Sequence, residues 1–331
     1  MILITGGTGY IGSHTALACL AAGKKVVIYD DLSNSDLDVI RKLELIAHQM
    51  VPFIKGDILN TAHLSEVMQD YSVTDVIHFA GLKSVADSAD QPLRYYSSNV
   101  QGSLSLLFAM ELCNIKKLVF SSSAAVYGIP SYLPYDEAHP TAPLTTYGRT
   151  KLHVEHMLQD VVTADNAMRI MCLRYFNPIG AHDSGLIGEN PNGTPNNLMP
   201  YMQKVATGLL SHLNIYGNDY PTKDGTGERD YLHIMDLADA HLMALDYVDK
   251  NIGYSAVNIG TGVSYSVLDI IKTFEEVSGK RIRFRIAPRR KGDLPSYFSN
   301  SNFAKELMGW KSNRDLTAMC KSAWDYYTKY K

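Results

Sequence analysis

The chain is poor in features that mark several classes of protein. Its four cysteines are scattered and form no CxxC pair, so we expect buried free thiols rather than disulfides or metal ligands. No apolar run is long enough to span a bilayer. Neither sign of charge dominates, since 31 basic residues stand against 34 acidic ones. That balance gives no reason to expect a nucleic acid or a membrane as a partner.

We expect no targeting segment at the amino terminus. Met1 is followed at once by Ile2, Leu3 and Ile4, an apolar run that predicts a strand and not a signal or transit peptide. Together with the unpaired cysteines, this start predicts a cytosolic protein. The 331 residues suffice for one large α/β domain or two smaller ones, and a hydrophobic content of 46% allows a sizeable core.

The first half alternates short apolar runs with helical patterns, which is typical of a parallel sheet. The runs predict strands near residues 1–5, 25–30, 51–55, 75–79, 117–122 and 169–174. The patterns between them predict helices near 10–22, 36–49, 61–70, 92–114 and 145–164.

Beyond residue 177 the composition changes, and Gly, Pro and Asn become dense in 177–197 and 217–230. We therefore predict an α/β fold, with a Rossmann-type doubly wound parallel sheet in 1–176 and a smaller, mixed α/β substrate lobe in 177–331. Residues 232–260 resemble another strand-and-helix unit and should return to the first domain. Further helices are predicted near 196–209, 236–250, 266–278 and 315–330.

A glycine-rich turn follows the first predicted strand. Gly6, Gly9 and Gly12 let the backbone approach a pyrophosphate, and a helix beginning near Tyr10 and Ile11 supplies free N–H groups. Asp30 ends the second predicted strand, where its carboxylate can hold ribose hydroxyls and would repel a 2′-phosphate. The turn and the acid together predict NAD rather than NADP.

Other candidate cofactor residues follow the later strands. Asp57 and Ile58 can flank the adenine, although a helix cap or a loop acid explains Asp57 equally well. Lys83 can reach the ribose or the substrate or be an exposed lysine, and Asn99 can reach the cofactor or be a solvated helix residue. The small residues at the end of the fourth strand, which admit a cofactor at this edge of the sheet, are Ala80 and Gly81, preceded by Phe79.

Ser123, Tyr147 and Lys151 form a candidate proton-transfer cluster. Tyr147 and Lys151 are four residues apart and share one helix face. A free tyrosine has a pKa of about 10, and a nearby ammonium and a cationic nicotinamide both favour the phenolate. Lys151 can also bind the nicotinamide ribose, and Ser123 can orient a reacting hydroxyl. The cluster and the dinucleotide turn predict hydride chemistry on a substrate alcohol.

The chain resembles the extended short-chain dehydrogenase/reductase superfamily and, within it, the UDP-galactose 4-epimerase family. The resemblance covers essentially the whole chain, and its later segments belong to the predicted substrate lobe. The segments that carry it are TGGTGYIGSH (5–14), VIHFAGLK (76–83), SSSAAVYG (121–128), LRYFNP (173–178), PNNLMP (195–200) and GNDYPT (217–222).

This resemblance implies roles for many further residues. Arg229, Arg290 and Asn177 would hold the substrate diphosphate, the segment Asn214–Tyr216 would hold uracil, and Asp293 would bind the uridine ribose. Tyr297 would face the C2 substituent of the hexose. Substrate contacts are also implied at Lys83, Ser123, Tyr147, Asn196, Asn197, Leu198, Asn214 and Tyr216, and cofactor contacts at Asn34, Tyr175 and Phe176.

The implied activity is interconversion of UDP-galactose and UDP-glucose by transient oxidation at C4′ with tightly bound NAD. The resemblance also implies a homodimer that associates through helices such as 92–114 and 145–164. Two alternatives stay open at this point. A dehydratase or decarboxylase could share the fold, although the Asp-Glu pair of dehydratases is replaced by Ala124 and Ala125. A non-catalytic NAD-binding regulator would usually have lost Tyr147 or Lys151.

Overall fold

A seven-stranded parallel sheet forms the centre of the computed structural model, which describes residues 1–191, 195, 197–290 and 292–330. The strands are β1 (Ile2–Thr5), β2 (Val26–Asp30), β3 (Phe53–Lys55), β4 (Asp75–His78), β5 (Lys117–Ser123), β6 (Arg169–Tyr175), β7 (Asn177–Ile179), β8 (Leu213–Tyr216), β9 (Glu228–His233), β10 (Gly253–Ile259), β11 (Ser264–Ser266), β12 (Phe284–Ala287) and β13 (Ser296–Tyr297). The large sheet has the order β10-β6-β5-β4-β1-β2-β3.

The helices flank this sheet and fill the second lobe. They are α1 (Tyr10–Ala21), α2 (Asp38–Ala47), α3 (Thr61–Asp70), α4 (Val85–Asp90), α5 (Pro92–Tyr95), α6 (Gly102–Leu112), α7 (Thr146–Ala164), α8 (Leu198–Ala206), α9 (Ile234–Val248), α10 (Val267–Ser278), α11 (Asn302–Met308) and α12 (Leu316–Tyr330). A π-helical turn, Tyr96–Gln101, joins α5 to α6.

The parallel sheet is buried on both faces, because one hydrophobic core lies on each side of it. Strands covered in this way are apolar along their whole length, as β1 and β2 are. The predicted doubly wound α/β fold is confirmed, and the six predicted strands occur within about two residues of their expected bounds. The unit expected near 232–260 supplies α9 and the edge strand β10, which pairs with β6.

The single helix predicted over 92–114 is wrong in detail. The segment contains α5, the π-helical turn and α6, and α4 precedes it. The wide turn carries Asn99, whose side-chain amide donates to the Leu82 carbonyl at 3.0 Å and to Thr150 Oγ1 at 3.0 Å. The periodicity of apolar residues cannot reveal a single residue inserted into a helical turn. Such π-helical turns are frequent at functional sites.

The second lobe is built on short strands, several of which the sequence patterns did not predict. β11, β9 and β13 pair in that order, β7 also pairs with β9, and β12 pairs with β8. The buried Asp230 on β9 organises this region, since its carboxylate accepts from the N–H groups of Thr261 at 2.8 Å, Gly262 at 3.0 Å and Ser299 at 3.1 Å. These bonds fix β9 beside the loops that follow β10 and β13.

Within the described ranges, no helix combines the length and the apolar character needed to cross a membrane. The same residues contain no group of three or more His, Cys, Asp or Glu side chains that could hold a metal ion.

Candidate active site

The glycine turn between β1 and α1 is too closely packed for side chains at its key positions. A Cβ atom on Gly12 would lie 2.3 Å from the Gly6 carbonyl oxygen, and one on Gly6 would lie 2.6 Å from the Ala80 nitrogen. Gly6 also has a φ of +69°, which favours glycine. Gly9 caps α1 without a side-chain hydrogen bond, so the first N–H groups of the helix can serve an anion.

Asp30 lies beside this turn at the carboxyl end of β2. Its carboxylate accepts from the backbone N–H of Thr8 at 3.1 Å and of Leu32 at 2.9 Å, which holds it in place. A cradle that excludes side chains, together with a fixed acid next to it, fits a dinucleotide with unmodified ribose hydroxyls. Asn34 lies exposed in the following loop. Tyr10 and Ile11 form the first turn of α1, and the Tyr10 hydroxyl donates to the Gly180 carbonyl at 2.7 Å.

The loop after β4 is held open by Asn99. Gly81 has a φ of +153°, and a Cβ atom there would lie 2.9 Å from Asn99 Oδ1. That oxygen accepts from the Leu82 N–H at 2.7 Å. The side chain of Asn99 is therefore occupied in shaping the loop and in joining it to Thr150 on α7. Phe79, just before this loop, packs against His241 on α9, with ring centroids 4.7 Å apart.

Lys83 forms an ion pair with Glu189, an acid that the sequence did not single out. Its Nζ lies 3.5 Å from Glu189 Oε1, and the same oxygen accepts from Asn197 Nδ2 at 2.5 Å. The Glu189 carboxylate thus connects the loop after β4 with the start of α8, where Leu198 begins the helix. No spacing in the Gly- and Asn-rich segment marks this acid, because its partners are distant in the chain. Asn196 lies outside the described residues.

Ser123, Tyr147 and Lys151 come together where β5 ends and α7 begins. Tyr147 and Lys151 are both buried, and the Ser123 side chain lies close enough to Tyr147 to lower the pKa of its phenol. Lys151 Nζ lies 6.0 Å from the centroid of the Tyr147 ring and donates to the Ser121 carbonyl at 2.7 Å. Thr145 caps α7 by accepting from the Gly148 N–H at 3.1 Å, which fixes the first turn that carries Tyr147.

Burial dominates the ionisation of this cluster. It raises the pKa of Tyr147 to about 12, against the opposing effect of the neighbouring Ser123 side chain. It lowers the pKa of Lys151 to about 8. The protein by itself therefore favours a neutral phenol, so the phenolate expected from the sequence depends on further positive charge at the site. Tyr297 lies close enough to Tyr147 to raise the pKa of that phenol further.

Tyr297 links this cluster to the second lobe. Its hydroxyl donates to Asn177 Oδ1 at 2.9 Å, and the Arg229 guanidinium lies 4.6 Å from the centroid of its ring. The Phe176 ring lies 5.9 Å away on the same side. The Tyr297 ring is thus held by an amide, a cation and an aromatic ring, all contributed by residues near the ends of strands.

The two arginines predicted to bind a diphosphate converge on Asp293. Arg290 Nε lies 2.8 Å from Asp293 Oδ2, and Arg229 Nη2 lies 4.0 Å from Asp293 Oδ1. Arg229 also donates to the Leu294 carbonyl at 2.9 Å. The Arg290 guanidinium lies 4.7 Å from the centroid of the Tyr216 ring, which brings the strand β8 to the same place. One acid therefore separates two cations that could otherwise bind an anion together.

The remaining predicted residues lie in supporting positions. The Asp57 carboxylate accepts from the Leu59 N–H at 2.9 Å, and Ile58 is buried against Gly102. The Tyr175 hydroxyl hydrogen-bonds Ser121, and Asn214 Oδ1 accepts from Arg285 Nε at 2.7 Å.

Comparison with known proteins shows the family of the chain. The family model described as the NAD dependent epimerase/dehydratase family matches residues 2–260. The chain belongs to this family. It is 48% identical to the UDP-glucose 4-epimerase of Bacillus subtilis, over 98% of this chain and 95% of the relative.

Solved structures of similar proteins cover the same length. The UDP-glucose-4-epimerase of Stenotrophomonas maltophila, with bound NAD and formylated UDP-arabinopyranose, has a TM-score of 0.97 and 45% identity over 99% of this chain and 98% of that one. The UDP-Glc/GlcNAc 4-epimerase of Campylobacter jejuni has a TM-score of 0.86 and 34% identity, with 99% of each chain covered.

The glycine turn and Asp30 predict the bound nucleotide. The purified protein should release NAD(H) and no NADP(H) when it is denatured and the extract is identified by mass spectrometry. In Gly12→Ala, the added Cβ would push on the Gly6 carbonyl and open the cradle, so most of the bound NAD should be lost. Gly279→Ala is the control for a general loss of stability, since Gly279 ends α10 at a φ of +64° that disfavours alanine, while an added Cβ there has nothing within 4 Å and lies outside the cradle. Recovery of stoichiometric NADP from the wild type would show that Asp30 does not select the cofactor.

Proposed function

We propose that this chain is a UDP-glucose 4-epimerase, which interconverts UDP-galactose and UDP-glucose with tightly bound NAD. Relatives with this activity are 46–48% identical over nearly the full length, and similar solved structures contain NAD, so the prediction of this activity and cofactor is confirmed. The observation within the chain that carries the proposal is the meeting of Ser123, Tyr147 and Lys151 at the sheet edge that also holds the glycine turn.

The reaction needs a proton carrier next to the sugar hydroxyl. Bound NAD would supply the acceptor, and then the donor, of the hydride at C4′ of the sugar. Tyr147, as the phenolate that positive charge at the site stabilises, takes the proton of the 4′-hydroxyl and, as the resulting phenol, gives it back at the end of the cycle. Ser123 orients that hydroxyl, and Lys151 supplies a positive charge near the phenol. The sugar is oxidised and then reduced, so no second substrate is required.

The second lobe would hold the part of the substrate that does not react. Arg229 and Arg290 are suited to a diphosphate because a guanidinium matches phosphate geometry, and Asp293 would then be released to the uridine ribose. Asn177 accepts from the Tyr297 hydroxyl, and we propose that Asn197 and Leu198 at the start of α8 also contact the substrate. We propose that these contacts keep the nucleotide fixed while the oxidised hexose turns over.

The alternative functions have less support. Ala124 and Ala125 follow Ser123, so the acidic pair that eliminates water in dehydratases is missing. A non-catalytic regulator would not need Tyr147 and Lys151 buried together. We place the protein in galactose metabolism and in the cytosol. The cytosolic location accords with four free cysteines, all in the described part of the chain.

We also propose that the chain divides into a cofactor domain and a substrate lobe near residue 177, with α9 and β10 belonging to the cofactor domain. The division rests on the strand pairing, since β10 joins the large sheet while β9, β11 and β13 form a separate one. The second lobe also has a hydrophobic cluster of its own, around Met202, Ile215 and Phe274.

The first expected outcome concerns Tyr147. Tyr147→Phe removes the proton carrier but keeps the ring, so turnover of UDP-galactose should fall by about 10²–10⁴-fold while NAD stays bound. Tyr132→Phe, in which the exposed Tyr132 loses a hydroxyl that contacts Asp136, is the matched control and should keep full activity. A Tyr147→Phe enzyme with more than about a tenth of wild-type turnover would show that another group carries the proton.

The second expected outcome concerns the size of the hexose pocket. The Tyr297 ring is fixed by Asn177, Arg229 and Phe176, so an N-acetyl group at C2 should meet a packed surface and cost about 1–3 kcal/mol. UDP-glucose should therefore be preferred over UDP-N-acetylglucosamine by roughly 5- to 150-fold in kcat/KM. One similar structure is a UDP-Glc/GlcNAc 4-epimerase, so the fold itself admits both sugars.

Two variants isolate the volume of this side chain. Tyr297→Cys should reduce the preference by admitting the N-acetyl sugar, whereas Tyr297→Phe keeps the ring and should retain the preference. The measurement is kcat/KM for both sugars in each enzyme. Equal efficiency of the wild type on the two sugars would remove Tyr297 from the C2 side of the pocket.

The third expected outcome concerns assembly. We propose a homodimer formed through α6 and its neighbours, because Leu104, Phe108 and Leu112 recur every fourth residue and form an exposed apolar stripe, with exposed Leu93 nearby in α5. Phe108→Glu would bury a carboxylate in the interface at a cost of several kcal/mol, so sedimentation velocity should show a monomer. Phe303→Glu changes a comparably exposed phenylalanine on α11 and should stay dimeric. A monomeric wild type would contradict the proposal.

A further inference from the structure

A second polar cluster lies directly beneath the proposed proton-transfer pair. Glu155 is four residues beyond Lys151 on α7, so Tyr147, Lys151 and Glu155 occupy one helix face at intervals of four. The Glu155 side chain has no exposed surface. A buried carboxylate is costly unless it is paired and fully hydrogen-bonded. The proposed reaction gives Glu155 no role.

Glu155 is bound from two neighbouring strands of the sheet. From β6, Arg174 donates through Nη2 at 2.6 Å and through Nε at 3.0 Å, which is a two-point ion pair. From β5, the Ser122 hydroxyl donates to the same carboxylate. Arg174 is held in turn by the Tyr127 hydroxyl at 3.1 Å. The pair therefore belongs to a satisfied network with defined directions.

The serine run of β5 contacts α7 at three consecutive residues. The Ser121 carbonyl accepts from Lys151, the Ser122 hydroxyl donates to Glu155, and the Ser123 side chain lies close enough to Tyr147 to lower the pKa of its phenol. The outer two contacts involve groups that the reaction uses. The middle contact joins two residues to which the proposed reaction gives no role.

We propose that Glu155 is a positioning residue for proton transfer: by binding Ser122 of β5 and Arg174 of β6, it fixes the turn of α7 that brings Tyr147 against Ser123. An apolar residue could pack at this place, but it would not define a rotation, because apolar contacts are non-directional. A shift of α7 by one residue would rotate Tyr147 by about 100° around the helix axis. This inference rests on the proposed epimerase activity.

Glu155 also has an electrostatic effect on the lysine. Burial lowers the pKa of Lys151 to about 8, and the nearby Cys172 and Glu155 act in the opposite direction. Without the Glu155 charge, Lys151 would lose its proton at lower pH, and the unbalanced Arg174 cation would add to that effect. The titratable or charged groups around Lys151 are Tyr147 and Glu155 on α7, Cys172, Arg174 and Tyr175 on β6, His78 on β4 and Tyr254 on β10.

Two variants separate the directional contact from the charge. Ser122→Ala removes the contact from β5 and leaves the ion pair intact, so kcat should fall by about 10- to 100-fold with little change in KM and an unchanged pH profile. Glu155→Gln removes the charge as well, so its kcat should fall further and the alkaline limb of its kcat profile should move to lower pH. Ser65→Ala is the matched control, since the buried Ser65 hydroxyl donates only to the Thr61 carbonyl on α3.

Each preparation is compared at equal content of bound NAD, with UDP-galactose as the probe. If Ser122→Ala keeps the wild-type kcat, the inference is wrong, and this variant decides the matter should Glu155→Gln fail to fold. A loss of activity that only follows the loss of folded, NAD-loaded protein would reveal a purely structural role and would also overturn it. An inactive wild type that holds NAD would instead overturn the proposed function, and this inference with it.

Discussion

All seven strands of the central sheet run in the same direction, and the candidate site depends on that one constraint. Parallel hydrogen bonding brings the carboxyl ends of β1, β2, β4, β5 and β6 to a single edge. The glycine turn, Asp30, the Gly81 loop and Ser123 lie far apart in the chain, yet each follows or ends one of these strands. The sheet thus assembles a cofactor cradle and a proton carrier without requiring the loops to be long.

Burial of Tyr147 and Lys151 against the sheet sets the chemistry of the site. Tyr147 and Lys151 lie on the face of α7 that packs onto the sheet, so both lose water and both become harder to charge. A hydrogen bond to the Ser121 carbonyl on β5 holds Lys151 in place without reversing this effect. A site of this kind is poised to ionise only when positive charge arrives beside it, which couples proton removal to the presence of the oxidising cofactor.

In the second lobe, polar side chains hold one another in place. Asp293 lies between Arg229 and Arg290, Asn177 holds the Tyr297 hydroxyl, and Glu189 connects Lys83 with Asn197. Each of these groups has a partner that a substrate could replace. Preformed geometry of this type lowers the cost of ordering side chains on binding, since few rotamers remain to be fixed.

The sequence by itself determined the parallel fold, the cofactor turn with Asp30, and the shared face of Tyr147 and Lys151, because each depends on spacing within one strand, turn or helix. It also pointed, through resemblance, to the arginines and to Tyr297. Only the tertiary structure decided that Asn99 lies in a π-helical turn and shapes the Gly81 loop, that Glu189 joins Lys83 to Asn197, and that Glu155 pairs with Arg174 beneath the serine run. These contacts join separate elements of the fold, so no local pattern specifies them, and they form only when the strands and helices have packed.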